Sequence, residues 1–242
     1  REDDIVKTML TASTHDHIAF FTSKGRTFRL KGYEIPEGSR TSKGMNIVNL
    51  LPLESGETIS SMNCGRGDEY KYLCMFTRNG IIKRSSVDEY ASIRRTGVIA
   101  ITLDEGDELA WVKMTKGNDD IIVATKKGMS IRFNENDARP IGRTARGVKA
   151  IELAEGDEVI GVATVEEGKA ILTVSETGFG RISDFDNYRV QSRGGKGLIN
   201  YHTEKNGDVA AVTSVSDDND IILISSDGII IRIPMDTIRV CA

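Results

Sequence analysis

Residues 17–26 read HIAFFTSKGR, an apolar run that closes on a Ser-Lys-Gly turn and then continues. The same phrase returns as YLCMFTRNG, IIVATKKG, ILTVSETG and IILISSDG, with turn glycines at 25, 80, 128, 178 and 228. An apolar or β-branched run, a glycine turn and a second run such as IIKRS, SIRF or IIIRI are the signature of a β-hairpin. No stretch keeps the 3.6-residue apolar period of a helix, and 24 glycines would be poorly placed in helices.

Two further glycine series share this spacing of about fifty residues. One follows the basic loops RTSKG, RRTG, RTARG and SRGGKG, at Gly44, Gly97, Gly147 and Gly197. The other lies in the acidic turns ESGET, DEGDEL, AEGDEV and KNGDV, at Gly56, Gly106, Gly156 and Gly207. A period near fifty with about four short strands predicts an all-β, propeller-like ring of four-stranded blades, each burying its faces against its neighbours. Full repeats are expected at 17–64, 65–114, 115–164 and 165–214, with partial ones at 1–16 and 215–242. The termini would then combine into a fifth blade, or belong to a larger ring cut within a repeat.

Composition narrows the function. The chain has 242 residues, 39% of them hydrophobic and 28% charged, with no apolar run long enough to span a membrane. Its start lacks the pattern of a signal peptide, so a cytoplasmic protein without membrane attachment is expected. Cys64, Cys74 and Cys241 lack CxxC spacing and read as reduced structural thiols.

The net charge of −4 argues against nucleic acid until its distribution is considered. Residues 22–43, 78–95, 126–149 and 181–196 hold 22 Lys and Arg against 8 Asp and Glu, a charge of +14, which leaves −18 for the rest. Units that repeat in space would join these windows into a polyanion track on an acidic body. The expected DNA contacts are Lys24, Arg26, Arg29, Arg40 and Lys43 in the first unit, and Arg78, Lys83, Arg84, Arg94 and Arg95 in the second. The third unit adds Lys126, Lys127, Arg132, Arg143, Arg146 and Lys149, and the fourth Arg181, Arg189, Gln191, Arg193, Gly194, Gly195, Lys196 and Gly197. An Arg follows the turn glycine by four residues at Arg29, Arg84, Arg132 and Arg232, while Arg181 comes one residue early. Glycine lets backbone N–H groups approach phosphate, and Lys and Arg supply countercharge. Aromatics, at 6%, are too few for a single-strand stacking platform, and no Asn or Gln series is placed to read base edges. Duplex DNA held by its backbone and its bendability is the ligand that fits.

The stretches THDHIAFFTSKGR (14–26) and NIVNLLPLESGE (46–57), with loops of the form RTxxGV, resemble the C-terminal β-pinwheel domain of the DNA gyrase A protein across essentially the whole chain. The resemblance implies blades that exchange strands and an outer edge around which DNA bends. It also implies a non-catalytic part of an ATP-dependent negative supercoiling enzyme, working with the rest of gyrase A and with gyrase B. The family's box has the form QRRGGKG. Gln191, Arg193, Gly194, Gly195, Lys196 and Gly197 match it, with Ser192 in place of an Arg. Since the functional box stands in the family's first blade, ahead of the THDHI segment, it is expected upstream of Arg1, and QSRGGKG is expected to contact phosphate without the box's special role.

The alternatives are the C-terminal domain of the topoisomerase IV C protein, a protein-interaction propeller, and a hydrolytic propeller, which would need a convergent set of carboxylates or histidines. His15, Asp16 and His17 read as a turn, because neighbours on a strand point to opposite faces. Asp104-Glu105 and Asp107-Glu108 read as solvated turn acids, and Trp111 as packing between blades. No cofactor or metal is expected, and no tyrosine is assigned the strand-cutting role.

Overall fold

The structure is a computed structural model that describes residues 8–39, 41–65, 69–93, 95–165, 168–216, 220–225, 229–238 and 240. The site expectations for Arg40 and Arg94, and the turn glycine at 228, lie outside the described residues.

Each apolar run becomes the first strand of an antiparallel hairpin. The hairpins are β1 (His17–Thr22) with β2 (Arg26–Lys31), and β4 (Tyr72–Thr77) with β5 (Ile81–Ser86). They continue with β8 (Asp120–Thr125) and β9 (Met129–Asn134), β12 (Ala170–Ser175) and β13 (Gly180–Asp184), and β16 (Asp220–Ile224) and β17 (Ile230–Pro234). On the inner side of the first four hairpins lie β3 (Ile59–Cys64), β7 (Leu109–Thr115), β11 (Val159–Thr164) and β15 (Val209–Val215).

The outer strand of a blade comes from the next unit. The two-residue strand β6 (Val98–Ile99) pairs with β2, β10 (Val148–Lys149) with β5, and β14 (Leu198–Ile199) with β9. The first three blades are therefore four-stranded, with orders β3-β1-β2-β6, β10-β5-β4-β7 and β11-β8-β9-β14. The fourth has β13-β12-β15, with Val240 bridging to Ile182 at its outer side, and the fifth shows the hairpin alone. The expected four-stranded unit thus holds for three blades among the described residues. Its fourth strand is borrowed.

Because both faces of β4 and β8 are buried, the core lies between blades rather than within one. Phe21 of β1 packs with Leu73, Met75 and Leu109 of the second blade. Phe76 and Ile82 of that blade pack with Ile121, Ile131 and Phe133 of the third, and Ile122 and Ala124 pack with Ile171 and Val209 of the fourth. Trp111 joins the second of these layers beside Ile151 and Val159, so it packs between blades. At the start of the first hairpin, Asp16 accepts from the Ser13 amide at 2.7 Å, which closes the turn that carries His15.

Candidate nucleic-acid interface

Two glycine series meet at the seams between blades. The carbonyl of Gly25 accepts from Ala100 N (2.7 Å) and Ile101 N (3.1 Å), and that of Gly80 from Ala150 N (2.7 Å). Gly128 accepts likewise from Asn200 N (2.7 Å) and Tyr201 N (3.0 Å). The turn glycine of one blade therefore docks the return segment of the next unit. Gly97 and Gly147, at φ 79° and 101°, approach so closely that a Cβ would lie 2.5 Å from the Phe28 ring or 2.6 Å from the Ile82 carbonyl; one at Gly197 would run into the Ser130 carbonyl. These glycines serve the seam, through positive φ and close approach. The acidic-turn glycines Gly56, Gly106 and Gly156 also have positive φ but stand in open space.

This docking lays the basic loops along the outer edge. Ile141 N donates to the Arg84 carbonyl at 2.9 Å, seating the third unit's loop on β5, and Gln191 N donates to the Arg132 carbonyl at 2.7 Å, seating QSRGGKG on β9. Each loop is also tied to the one before it. Arg143 Nη1 donates to the Ile99 carbonyl, and Thr102 N to the Ala145 carbonyl at 3.1 Å. One unit on, Arg193 Nη1 donates to the Lys149 carbonyl, Gly194 N to the Ala150 carbonyl at 2.8 Å and Glu152 N to the Gly195 carbonyl at 2.9 Å. The loops of units two, three and four thus form one continuous rim. The first unit's loop, with Lys43 and Gly44, leads into a 3₁₀ turn at Ile47–Asn49 and has no strand partner among the described residues.

The expected cations fall into three groups. Arg95, Lys149, Arg189 and Lys196 are exposed on the rim without a carboxylate partner among the described residues, as is Lys43 on its separate loop. Arg146 is also exposed but holds Asp104 in a bidentate pair, and this guanidinium keeps the Asp104 carboxyl below its usual range. Arg139 lies exposed on the same loop. Sequence reasoning misses it, although it stands fifty residues before Arg189 and holds the same place, two residues ahead of the loop's seating amide.

The turn cations are neutralised by the acidic turns. Lys24 pairs with Glu54 (3.0 Å), Arg78 with Glu108 (2.6 Å), Lys126 with Glu158 (4.0 Å) and Lys127 with Asp208 (3.0 Å). Arg26 clamps the buried Glu57 through Nε (3.0 Å) and Nη2 (2.6 Å). Burial alone would raise the Glu57 carboxyl, but hydrogen bonds from Arg26, Thr22 and the Glu54 amide, with the Arg26 charge, bring it down to about 2. A depressed carboxylate stabilises the fold above its unfolded value of 4.5 and loses that contribution as pH falls toward 2. Thermal melts from pH 7 to pH 3 should therefore show an acid-sensitive component of about 2 kcal/mol. Glu57→Gln should remove that component; an identical pH profile in the variant would contradict the assignment.

The third group holds the blades together, and two of its members correct the sequence expectation. Lys83 and Arg84 are 0% and 2% exposed, so neither reaches phosphate. Arg84 pairs with Glu135 (2.8 Å), lies over the Tyr72 ring (3.8 Å) and donates to Asn136 Oδ1 (3.0 Å). Glu135 accepts further bonds from Thr115 Oγ1 (2.7 Å) and the amides of Gly117 and Asp119 (2.8 Å each). Arg132, in the matching register, pairs with Asp120 (2.9 Å) and donates to the Phe185 carbonyl (2.8 Å). The Arg four residues past the turn glycine is thus an inter-blade strut in these two blades. Arg29 is half-buried at the same register. Arg181 pairs opposite Thr173, the register of Lys83 rather than Arg84, and bonds Ser183 Oγ at 2.7 Å, as its early position implies.

Within QSRGGKG, Gln191 and Arg193 are anchored, with Arg193 also bonded to Asp137 O at 3.2 Å, while Lys196 projects freely. Gly194 has φ 86°. Gly195 needs no special backbone: an added Cβ would meet only Ile131 Cδ1 at 3.8 Å, and Ala145 fills its place in the third unit.

Antiparallel blades that lend their outer strand to the preceding blade define a β-pinwheel, a variant of the propeller. The family described as DNA gyrase C-terminal domain, beta-propeller, matches residues 16–64, 71–116, 119–166, 169–216 and 219–241. The chain belongs to that family. It is 51% identical over 148 residues to the DNA gyrase A protein of Clostridium acetobutylicum and 49% identical over 148 residues to that of Staphylococcus epidermidis, alignments covering 61% and 60% of this chain. They cover 18% and 17% of those proteins, so the chain matches under a fifth of their length. Among solved structures, a DNA gyrase A C-terminal domain superposes with a TM-score of 0.76 at 28% identity, covering 92% of this chain and 73% of that one. The C-terminal domain of DNA topoisomerase IV superposes with a TM-score of 0.85 at 22% identity, covering 100% and 78%, a likeness of fold. No helix among the described residues is long and apolar enough to cross a membrane.

Proposed function

We propose that this chain is a non-catalytic module of a gyrase-type topoisomerase that holds duplex DNA along its outer rim and bends or wraps it. The observation that carries the reading is the chain of loops tied end to end, from which Arg95, Arg146, Lys149 and Lys196 project. Phosphate contacts need no base identity, and a rim that carries exposed cations in each of its three loops on an acidic body favours one docking edge. In this reading the wrapped segment is presented to the cleavage core formed with the rest of gyrase A and gyrase B, in the cytoplasm, during ATP-dependent negative supercoiling. Identities near 50% to gyrase A support gyrase over topoisomerase IV, whose likeness here is one of fold.

The test is topological. Nicked circular DNA ligated in the presence of this protein should change its linking number if the path around the rim is chiral. Binding without any change would reduce the reading to bending, and absence of binding to a duplex of about 150 base pairs at low salt would overturn it. Binding that is insensitive to salt would favour a protein-interaction propeller instead.

A further inference from the structure

We infer that Lys83 is the positioning residue of the rim, a buried clamp that fixes the third unit's loop against the return segment of the second. This rests on the reading of the rim as a DNA track. The Lys83 side chain rises from β5 into a fully buried site. There its Nζ donates to Tyr90 Oη (3.0 Å), to the Ala100 carbonyl and to the Arg143 carbonyl, which employs all three ammonium protons. Tyr90 Oη in turn donates to the Ala100 carbonyl at 2.9 Å. Ala100 follows β6, docked on the first blade, and Arg143 lies in the loop docked on the second. One amine therefore ties together two adjacent stretches of rim.

The neighbouring blades do without such a clamp. Their residues in the same register are Phe28 (0% exposed) and Ile131 (1%), so the fold accepts an apolar side chain there. Burying an ammonium among neutral acceptors costs more than burying Phe or Ile. Desolvation, with Arg143 nearby and Glu89 opposing it, pushes Lys83 down to about 7. A costly group where a hydrophobe fits points to a role beyond packing. Lys83 cannot touch phosphate itself, so any effect it has on DNA must pass through the loop it holds.

The experiment replaces Lys83 with Met in the full chain and follows amide hydrogen exchange without DNA. The Ile141, Ala145 and Thr102 amides, bonded to Arg84 O, Gly142 O and Ala145 O, should exchange at least tenfold faster, while Gly194 N, bonded to Ala150 O, stays unchanged. In DNA titrations the slope of log K against log salt should become shallower by about one, equivalent to one lost phosphate contact. In an Arg139→Ala/Lys149→Ala background, which removes the exposed cations of that stretch that no carboxylate among the described residues neutralises, Lys83→Met should add nothing to the loss of affinity. If the variant fails to fold, Tyr90→Phe, which removes one acceptor, should give a smaller effect in the same amides. Unchanged exchange overturns the clamp. Faster loop exchange with an unaltered DNA slope keeps the clamp but removes its role in DNA contact, and failure of the wild-type chain to bind DNA sinks the track reading alone.

Discussion

Replacing Arg95, Lys149 and Lys196 together with Ala should lower affinity for duplex DNA by roughly two to three orders of magnitude at 0.1 M salt. Each lost phosphate contact removes about 0.9 from the slope of log K against log salt, so three make it shallower by about 2.7, and at 0.1 M salt each is worth roughly eightfold relative to 1 M. The loss should be nearly the same for every sequence tested, because phosphates carry no base identity. The matching control replaces Lys24, Arg78 and Lys127, whose charges are already taken up by Glu54, Glu108 and Asp208. That variant should bind almost as the wild type does. Equal losses in the two variants would mean that DNA follows the hairpin turns as well as the rim, and a larger loss in the control would reverse the model.

The second large effect concerns the seams. At Gly128, φ is 89° and an added Cβ would run into the Tyr201 carbonyl, at the point where Asn200 and Tyr201 bond to the Gly128 carbonyl. Gly128→Ala cannot relax by moving a side chain, since the obstacle is backbone, and it should cost about 4 kcal/mol through combined strain and lost hydrogen bonds. In a chain of this size that corresponds to a fall of roughly 8–16 °C in melting temperature. Gly156→Ala shares the positive φ, at 73°, but meets open space and should cost only about 1–2 kcal/mol. Similar melting temperatures for the two variants would show that docking at the turn glycine contributes little.

The repeat and its hairpins are readable because every unit writes the same strand-turn-strand phrase, with a glycine at each turn. The borrowing of strands is not readable from the residues alone: Val98–Ile99 and Leu198–Ile199 are two residues long, and nothing local says which hairpin they join. The family resemblance supplies it. The basic residues are the hardest to sort. Lys83 and Arg84 sit in IIKRS as a surface pair would, yet both are buried, because a strand with neighbours on both faces has no solvent side. Lys24 and Lys149 look alike as sequence, but an acidic turn thirty residues on neutralises Lys24 and none covers Lys149. Glycine misleads in a related way. At Gly197 the demand is for close backbone approach at a seam and only imitates the mark of a phosphate loop, whereas at Gly195 the backbone requires no glycine at all.

Borrowed strands also affect how such a molecule changes length. A unit cut at its repeat boundary carries away the outer strand of its predecessor and leaves behind the strand it had lent space to. Removal of one whole period, from 115 to 164 for instance, takes one docking turn and one return segment together, and the segment at 198–201 then faces Gly80 instead of Gly128. Both are glycines, with φ of 83° and 89°. The docking turn is therefore common to the two seams, but the strut is not: the same removal takes Glu135 from the buried Arg84 and brings Phe185 to its place, so a blade lost as a whole period keeps its glycine joint and must replace one buried charge pair.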